Sequence, residues 1–277
     1  MATPPRPDLE VLLALPFRPG GARAWGLGLQ TALAPEVRVA VAGSPAQMMR
    51  LLAPRCDLLH TAVPFVRTRR PLVATIHGDF RSESRLYRGS YESLLRRAEA
   101  VTVPSRFLQE RLNLPDALVI PNGLEDPGLR WSPRDGDGLR VLVASKFAFP
   151  GKTQGSVDLL ARLGALRERL GLSVEVAGGG PLEAQVRAAA ESAEARWLGW
   201  QNDLPALFAR HDVLLYRSYL DNQPLLLLQA MLAGIPVLAN PVGDLPAMLP
   251  RESIVEDGDL EARLAELRDP AERERLS

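Results

Sequence analysis

The chain has 277 residues, 46% of them hydrophobic, which is enough for one large or two ordinary domains with a core each. Its 33 basic and 33 acidic residues balance, so no overall basic field points to nucleic acid. The single cysteine, Cys56, excludes an internal disulfide, and the sequence shows neither the apolar stretch of a signal peptide at its start nor an apolar run that approaches a membrane span. We therefore expect a cytoplasmic protein without a nucleic-acid partner.

Apolar strand patterns alternate with helix patterns through the first half of the chain. Strands are predicted at residues 9–15, 37–43, 57–63, 71–78, 101–105 and 118–123. Helices are predicted from after Gly21 through residue 33 and at residues 44–54, 82–99 and 106–112. Ser44 and Ser105 are the expected N-caps of two of these helices. Gly20 and Gly21 fall in the turn between the first strand and the first helix, where glycine lets the backbone come close to a ligand.

Two histidines, His60 and His77, lie near the ends of predicted strands, where ligand-facing groups gather in parallel sheets. A structural role is the first interpretation of either histidine alone. His77 is the stronger functional candidate, because Gly78 and Asp79 follow it directly in the loop.

Arginines are concentrated at residues 67–71 (RTRRP) and in the helix predicted at residues 82–99. The ordinary interpretation is a solvated loop followed by an amphipathic helix that covers the sheet. Contact with anionic lipid at the inner face of a membrane, or with an anionic acceptor, is the alternative.

A stretch rich in Pro, Gly and Asp, without periodicity, divides the chain almost in half. We predict an N-terminal domain at residues 1–125, a linker at residues 126–137 and a C-terminal domain at residues 138–277. In the second half, strands are predicted at residues 138–145, 172–180, 195–200, 212–218 and 235–239. Helices are predicted at residues 156–171, 181–193, 202–211, 225–234 and 260–269, the second with Pro181 in its first turn. This alternation predicts two doubly wound, Rossmann-like α/β domains with parallel sheets.

Lysine is almost absent from the chain. Only two of the 33 basic residues are lysine, and these two, Lys146 and Lys152, lie six residues apart in a predicted loop at residues 146–155. A coding bias toward arginine explains the scarcity of lysine but not the pairing. Lysine is a compact, mobile cation, and its retention at these two positions indicates a phosphate-binding site. Chance clustering of the two lysines is the alternative.

Residues 216–246 form the stretch around which the chain is organised, with the pattern strand, polar loop, helix, strand and Gly/Pro loop. Asp221 and Gln229 lie eight residues apart, Asp221 in the loop and Gln229 about two turns into the helix. A polar loop that leads into a helix at the end of a parallel strand binds anions and sugars in many α/β proteins. An ordinary crossover with a capped helix is the alternative.

The second half resembles the nucleotide-sugar domain of retaining glycosyltransferases with the GT-B fold, family 4. The stretch ASKFAFPGKTQG resembles the family's Gly-Arg and Lys step, with Lys146 in place of the arginine and Lys152 in place of the lysine. GGGPLEAQV, from Gly178, resembles the Gly-Asp-Gly-Pro-Leu step, and LGWQNDLPALFARHDVLLYRS the next stretch. Asp221 and Gln229 fall on the family's paired glutamates, while PGG, TIHGD, VTVPSRFLQERL and VIPNGLE are weaker matches in the first half.

The resemblance implies metal-independent transfer, with retention, of a sugar from a UDP-, GDP- or ADP-sugar to a hydroxyl acceptor, between two domains that face a cleft. It implies no cofactor, no metal ligand and four catalytic residues: His77, Asp221, Lys146 and Lys152. The implied donor-binding residues are Gly20, Gly21, Lys146, Lys152, Gly178, Gly179, Gly180, Trp200, Asn222, Gln223, Pro224, Leu225, Leu226 and Gln229.

Glutamine at position 229 departs from the family pattern, because it removes a charge expected at the ribose. A non-catalytic subunit of the same fold, which binds a sugar nucleotide or a glycan, is therefore the alternative function. A sugar-nucleotide epimerase is disfavoured, since its expected carboxylates and histidines are missing.

Overall fold

The structure is a computed structural model, and it describes residues 8–17, 20–42, 56–82, 84–126, 128, 130–134, 136 and 138–277. The chain divides into two compact units, unit 1 at residues 1–124 and unit 2 at residues 125–277. Each unit is built on one parallel β-sheet. These two α/β units with parallel sheets confirm the predicted fold class.

Unit 1 has, in its described part, a six-stranded sheet in the order β2-β1-β3-β4-β5-β6. Its strands are β1 (Glu10–Ala14), β2 (Arg38–Val41), β3 (Leu58–Thr61), β4 (Leu72–Thr75), β5 (Ala100–Val103) and β6 (Leu118–Val119). Its helices are α1 (Gly21–Leu33), α2 (Arg85–Leu95) and α3 (Arg106–Arg111). Val11 and Leu13 of β1 pack into one apolar cluster while Leu12 and Ala14 pack into another, so both faces of this strand are covered.

Most elements of unit 1 are shorter than predicted. The helix expected at residues 82–99 spans Arg85–Leu95, because the Ser84 side chain accepts the first-turn N–H of Tyr87 and caps it there. Ser105 caps α3 as predicted, accepting from the N–H of Leu108 at 3.1 Å. The helix predicted at residues 44–54, with its N-cap Ser44, lies outside the described residues.

Unit 2 has a five-stranded parallel sheet in the order β11-β10-β7-β8-β9 over its described residues. The strands are β7 (Leu139–Lys146), β8 (Leu172–Gly179), β9 (Arg196–Gly199), β10 (Val213–Tyr216) and β11 (Val237–Ala239). The helices are α4 (Pro150–Leu170), α5 (Glu183–Ser192), α6 (Leu204–Ala209), α7 (Leu225–Ala233), α8 (Leu245–Met248), α9 (Leu260–Glu266) and α10 (Pro270–Leu276). Alternate residues of β7 enter two different apolar clusters, which places packed helices on both faces of the sheet.

Three helix starts in unit 2 differ from the prediction, and α6 begins at Leu204 rather than at residue 202. Helix α4 begins at Pro150 rather than at residue 156, since proline suits a first helical position and the carbonyl of Phe149 accepts the N–H groups of Lys152 and Thr153. Lys152 is therefore in the first turn of a helix and not in a loop. Helix α5 begins at Glu183, so Pro181 lies in the turn before the helix rather than in its first turn.

The segment predicted as a linker packs against unit 2. The Trp131 indole is 7% exposed; its backbone N–H donates to Ala233 at 2.7 Å and its ring N–H to the carbonyl of His211 at 2.7 Å. Further along, the buried guanidinium of Arg273 in α10 donates to the carbonyl of Arg134 at 2.7 Å. Trp131 thus belongs to the apolar core of unit 2, and Arg134 is bonded to its last helix.

Candidate functional site

Three strands of unit 2 end at the same edge of the sheet, because β7, β8 and β10 run parallel and lie side by side. Their last residues are Lys146, Gly179 and Tyr216. Asp221 follows β10 in the loop that leads to α7. The edge therefore gathers both lysines' segments, the triple glycine and the polar loop that the sequence singled out.

Lys152 and Asp221 form an ion pair at this edge. The Lys152 ammonium lies 2.6 Å from Oδ2 of Asp221, and their side chains are 21% and 9% exposed. Two glycines, Gly151 and Gly155, let the start of α4 come this close to the loop after β10. The carbonyl of Gly151 accepts the N–H of Tyr219 at 3.1 Å, and a methyl group at Gly155 would lie 2.5 Å from the carbonyl oxygen of Arg217.

The carboxylate of Asp221 has two further donors. The hydroxyl of Tyr216 donates to Oδ2, and the N–H of Asn222 donates to Oδ1 at 2.9 Å. Burial, followed by the charge of Asp221 and this hydrogen bond, raises the pKa of Tyr216 well above its usual value. The Tyr216 hydroxyl therefore stays protonated and remains a donor. Gly243, at φ 61°, lies against the backbone of Asp221. A methyl group on Gly243 would lie 2.1 Å from the carbonyl oxygen of Asp221, so only glycine leaves space for this loop.

The triple glycine has a packing reason that the sequence did not reveal. Gly178 and Gly180 both have φ 147°, and a methyl group would lie 2.0 Å from the Ser145 carbonyl oxygen at the first and 2.5 Å from that of Phe147 at the second. The N–H of Gly180 already donates to the Glu183 carboxylate at 3.1 Å. Two of the three glycines are thus needed for the close approach of the chain after β7 to the chain after β8, whatever the ligand.

Gly179, which is buried, lies beside the exposed Trp200 at this edge. A methyl group built on Gly179 would lie 3.6 Å from Cβ of Trp200, which is ordinary contact. The Trp200 side chain is 51% exposed and its ring N–H donates to Asn202 at 2.9 Å. An exposed indole with a fixed orientation is a surface on which a flat ring can stack.

The loop after Asp221 leads into α7 through Asn222, Gln223 and Pro224. The carbonyl of Pro224 accepts the first helical hydrogen bonds, and among the described residues no side chain caps the helix, so the N–H groups of Leu225 and Leu226 are left without intrahelical partners. Gln229 is the fifth residue of α7 and hence one turn into it, not two.

In unit 1, Gly20 is the N-cap of α1 and Gly21 its first residue. His77 follows β4, and Trp25 of α1 lies against both histidines, with its ring centroid 4.5 Å from that of His77 and 5.5 Å from that of His60. Burial lowers the pKa of His60 to about 4 and that of His77 to about 4, the second also through His60. Both imidazoles are therefore neutral at neutral pH.

Hydrogen bonding distinguishes the two histidines. His60 Nε2 lies 2.7 Å from the hydroxyl of Thr75, which lies 2.6 Å from that of Thr102, so His60 belongs to a polar chain inside the unit. Nε2 of His77 is buried and has no hydrogen-bond partner among the described residues. The His77 ring is the one with a polar atom still to satisfy.

Sequence reasoning missed Tyr216 and Trp25. Tyr216 lies within the strand predicted at residues 212–218 and was given no role there, although a tyrosine at the end of a buried strand places its hydroxyl at the functional edge. Trp25 carries no local signal, because its histidine partners lie 35 and 52 residues away in sequence. Within the described ranges, no three His, Cys, Asp or Glu side chains converge as a metal site.

Solved structures of low sequence identity share the fold. HepE of Anabaena, in complex with UDP, is 18% identical with a TM-score of 0.70, over 95% of this chain and 93% of that one. The lipopolysaccharide outer core galactosyltransferase WaaB is 14% identical with a TM-score of 0.64, over 96% and 95%. A TarM variant from S. aureus, in complex with UDP, is 13% identical with a TM-score of 0.62 over 79% of this chain, which spans 49% of the length of that protein.

Two family models match the sequence, one in each unit. The model of Glycosyltransferase Family 4 matches residues 9–126, and the model of Glycosyl transferases group 1 matches residues 139–272. No curated protein sequence matches the chain. The matched regions together span both α/β units, whose fold the solved glycosyltransferases share. The chain therefore belongs to the glycosyltransferases of the GT-B fold.

Proposed function

We propose that the chain transfers a sugar from a nucleoside diphosphate sugar to a hydroxyl acceptor, with retention of configuration and without a metal ion. The observation that carries this proposal is the Lys152–Asp221 ion pair at the carboxyl edge of the unit 2 sheet, where a cation for phosphate and a carboxylate for sugar hydroxyls lie together. Two structurally similar proteins, HepE and the TarM variant, bind UDP, which supports a nucleotide donor.

We assign the diphosphate to Lys146, Lys152 and the backbone N–H groups of Leu225 and Leu226. Fixed cations and N–H dipoles would stabilise the charge that grows on the leaving diphosphate, and this preorganised electrostatic term is usually the largest in such catalysis. The same cations would supply what a metal ion supplies elsewhere. Gly179 and Gly20–Gly21 would let the backbone approach the donor closely.

We assign the remaining donor contacts by side-chain chemistry. Asp221 would accept from a hydroxyl of the donor sugar, and Gln229, with one amide donor group and one acceptor, would bind the ribose hydroxyls. Trp200 would stack on the base. His77 would offer its buried ring nitrogen to the donor sugar.

The bond from the anomeric carbon to the diphosphate oxygen would break as the acceptor oxygen bonds on the same face. The acceptor's proton would pass to the departing phosphate oxygen, so that no protein nucleophile is required and configuration is retained.

A donor panel tests this proposal. UDP, GDP and ADP are titrated calorimetrically, and UDP-glucose, GDP-mannose and ADP-glucose are assayed for hydrolysis and transfer, each with and without EDTA. We expect one nucleotide class to bind and its sugar to turn over at the same rate with and without EDTA. Failure of all three nucleotides to bind would contradict the proposal. Binding without turnover for any acceptor, whether polysaccharide, glycolipid or small molecule, would favour the non-catalytic alternative.

We further propose that unit 1 contacts an anionic membrane surface from the cytoplasmic side. No helix in the described ranges is long and apolar enough to span a bilayer. Phe65 and Leu86 nevertheless expose 46% and 78% of their surface. The Phe65 ring lies 5.1 Å from that of Tyr87, which places the start of α2 beside the loop that carries Arg67, Arg69 and Arg70. Exposed apolar side chains among arginines suit anionic lipid.

Vesicle co-sedimentation tests the membrane contact. We expect binding to phosphatidylglycerol vesicles but not to phosphatidylcholine vesicles, with loss at high salt because the attraction is electrostatic. Leu86→Glu should weaken it, whereas Leu118→Glu, at a residue 58% exposed in β6, should not. Equal binding to neutral vesicles, or an equal loss in both variants, would contradict this contact.

A further inference from the structure

The hydroxyl of Tyr216 occupies a position that the donor-site assignments above leave unexplained. The Tyr216 side chain is only 4% exposed, yet its oxygen lies at the functional edge of the sheet and donates to Oδ2 of Asp221. Tyr216 is the last residue of β10, and its ring packs in the apolar cluster that also contains Leu227 and Ala230. The end of a central strand therefore fixes the hydroxyl in place.

Oδ2 of Asp221 accepts from two groups of different mobility. Tyr216 ends a central strand of the sheet, and its side chain is 4% exposed. Lys152 has a long flexible side chain, and its ammonium is the cation assigned above to the donor diphosphate. The ammonium has three N–H donors, and as it turns toward the donor phosphates its ion pair with Asp221 would weaken.

Loosening that pair would leave a carboxylate, 9% exposed, without its cation. A buried carboxylate that loses its partner is costly, and its orientation is no longer set. A hydrogen-bond donor that stays with Oδ2 while the ammonium moves would reduce the cost of the lost ion pair and would keep the carboxylate in its orientation. Among the described residues, the Tyr216 hydroxyl has this position.

We infer that Tyr216 is a positioning residue that holds the Asp221 carboxylate for the donor sugar while Lys152 exchanges Asp221 for the donor phosphates. This inference rests on the proposed function. A hydroxyl of the sugar takes the place at Oδ2 that the ammonium leaves, so the oxygen keeps two donors before and after the exchange. Tyr216 touches no reacting atom and acts only through Asp221.

Kinetics of Tyr216→Phe test the inference, with UDP, GDP and ADP and their glucose or mannose esters as probes. We expect kcat to fall by about tenfold or more, the loss that fits a hydrogen bond to a charged group, while the Kd of the nucleoside diphosphate stays within about twofold. We expect kcat but not the Kd to change, because the diphosphate is assigned to the lysines and not to Asp221. Tyr219→Phe is the matched control, since Tyr219 lies in the same segment but is 51% exposed and bonds to Asp158 instead.

A double variant tests whether the hydroxyl acts through Asp221. Asp221→Asn with Tyr216→Phe should be no slower than Asp221→Asn alone within about twofold, because groups that act as a unit are not additive. Losses that multiply, an equal loss in Tyr219→Phe, or an equal loss of diphosphate affinity in Tyr216→Phe would overturn the inference.

The contact itself can be tested without any donor. The chain has four tyrosines, so ¹³Cζ-tyrosine resonances can be assigned with Tyr→Phe variants. We expect Asp221→Asn to shift the Tyr216 resonance and to leave that of Tyr87 unchanged. An unchanged Tyr216 resonance refutes the inference even if nucleotides bind. A shift in a protein that binds no nucleotide refutes the proposed function, and the exchange with it, while the apo contact stands.

Discussion

Lys152→Ala is expected to lower the turnover number on the nucleotide sugar by about 100-fold or more, the size seen when one preorganised transition-state contact is removed. The ammonium lies in the first turn of α4 at the edge where the leaving diphosphate is assigned. Its attraction to the diphosphate grows as the bond to the sugar breaks and negative charge develops there, so the loss should fall on kcat more than on KM. Steady-state kinetics with the donor identified by the panel measure this effect.

Arg169→Ala is the control for Lys152→Ala. Arg169 is also a cation of α4, but it is 61% exposed and pairs with Glu261. We expect it to change kcat by less than about twofold, since exposed ion pairs contribute little. A comparable loss in both variants would mean that the helix, and not the ammonium, is responsible. An unchanged kcat in Lys152→Ala would contradict the assignment of Lys152 to the diphosphate.

Acid is expected to destabilise unit 1 well before its carboxylates are protonated. The folded pKa values of His60 and His77 are lowered to about 4, against about 6.5 in an unfolded chain. Between these values the folded state binds fewer protons than the unfolded state, so stability is complete above pH 6.5 and is lost as the pH falls toward 4. Each histidine contributes about 3 kcal/mol at most over this window.

Proton NMR measures the histidine titrations directly, because the chain contains only three histidines. We expect the His60 and His77 ring resonances to stay at their neutral positions down to about pH 5. The free energy of unfolding of unit 1, from hydrogen exchange at several pH values, should rise with pH across the same window. His77→Gln should reduce that slope, whereas His211→Gln, in unit 2, should leave it unchanged. A titration of either histidine near 6.5 would contradict the burial described here.

The alternation of strands and helices was predictable because each central strand is buried on both faces and each helix has an apolar side. Helix α4 was misjudged at its start. The residues PGKTQG have the composition of a loop, yet Pro150 starts the helix, and Gly151 and Gly155 are there for close packing against residues 217–220. Local composition does not distinguish glycine in a turn from glycine at a contact between a helix and the backbone.

The candidate site was predictable where residues near in sequence act together, as in the loop at Asp221. The ion pair with Lys152, 69 residues away, follows only from the parallel order β10-β7 and the glycine contacts. Gly178 and Gly180 were assigned to the donor, but their packing reason depends on Ser145 and Phe147 of another strand segment. Such partners are set by tertiary packing, which one sequence does not display.

The anchoring of Trp131 determines where the chain can be divided. A fragment of unit 2 that begins at residue 138 would lack the indole, leaving the carbonyls of His211 and Ala233 without their donors and an apolar hollow beside α7. A fragment that begins at residue 125 keeps Trp131, and with it both hydrogen bonds and the packing beside α7. An exchange of halves between related enzymes should therefore join them before Trp131, so that the tryptophan travels with the carboxyl-terminal half that it completes.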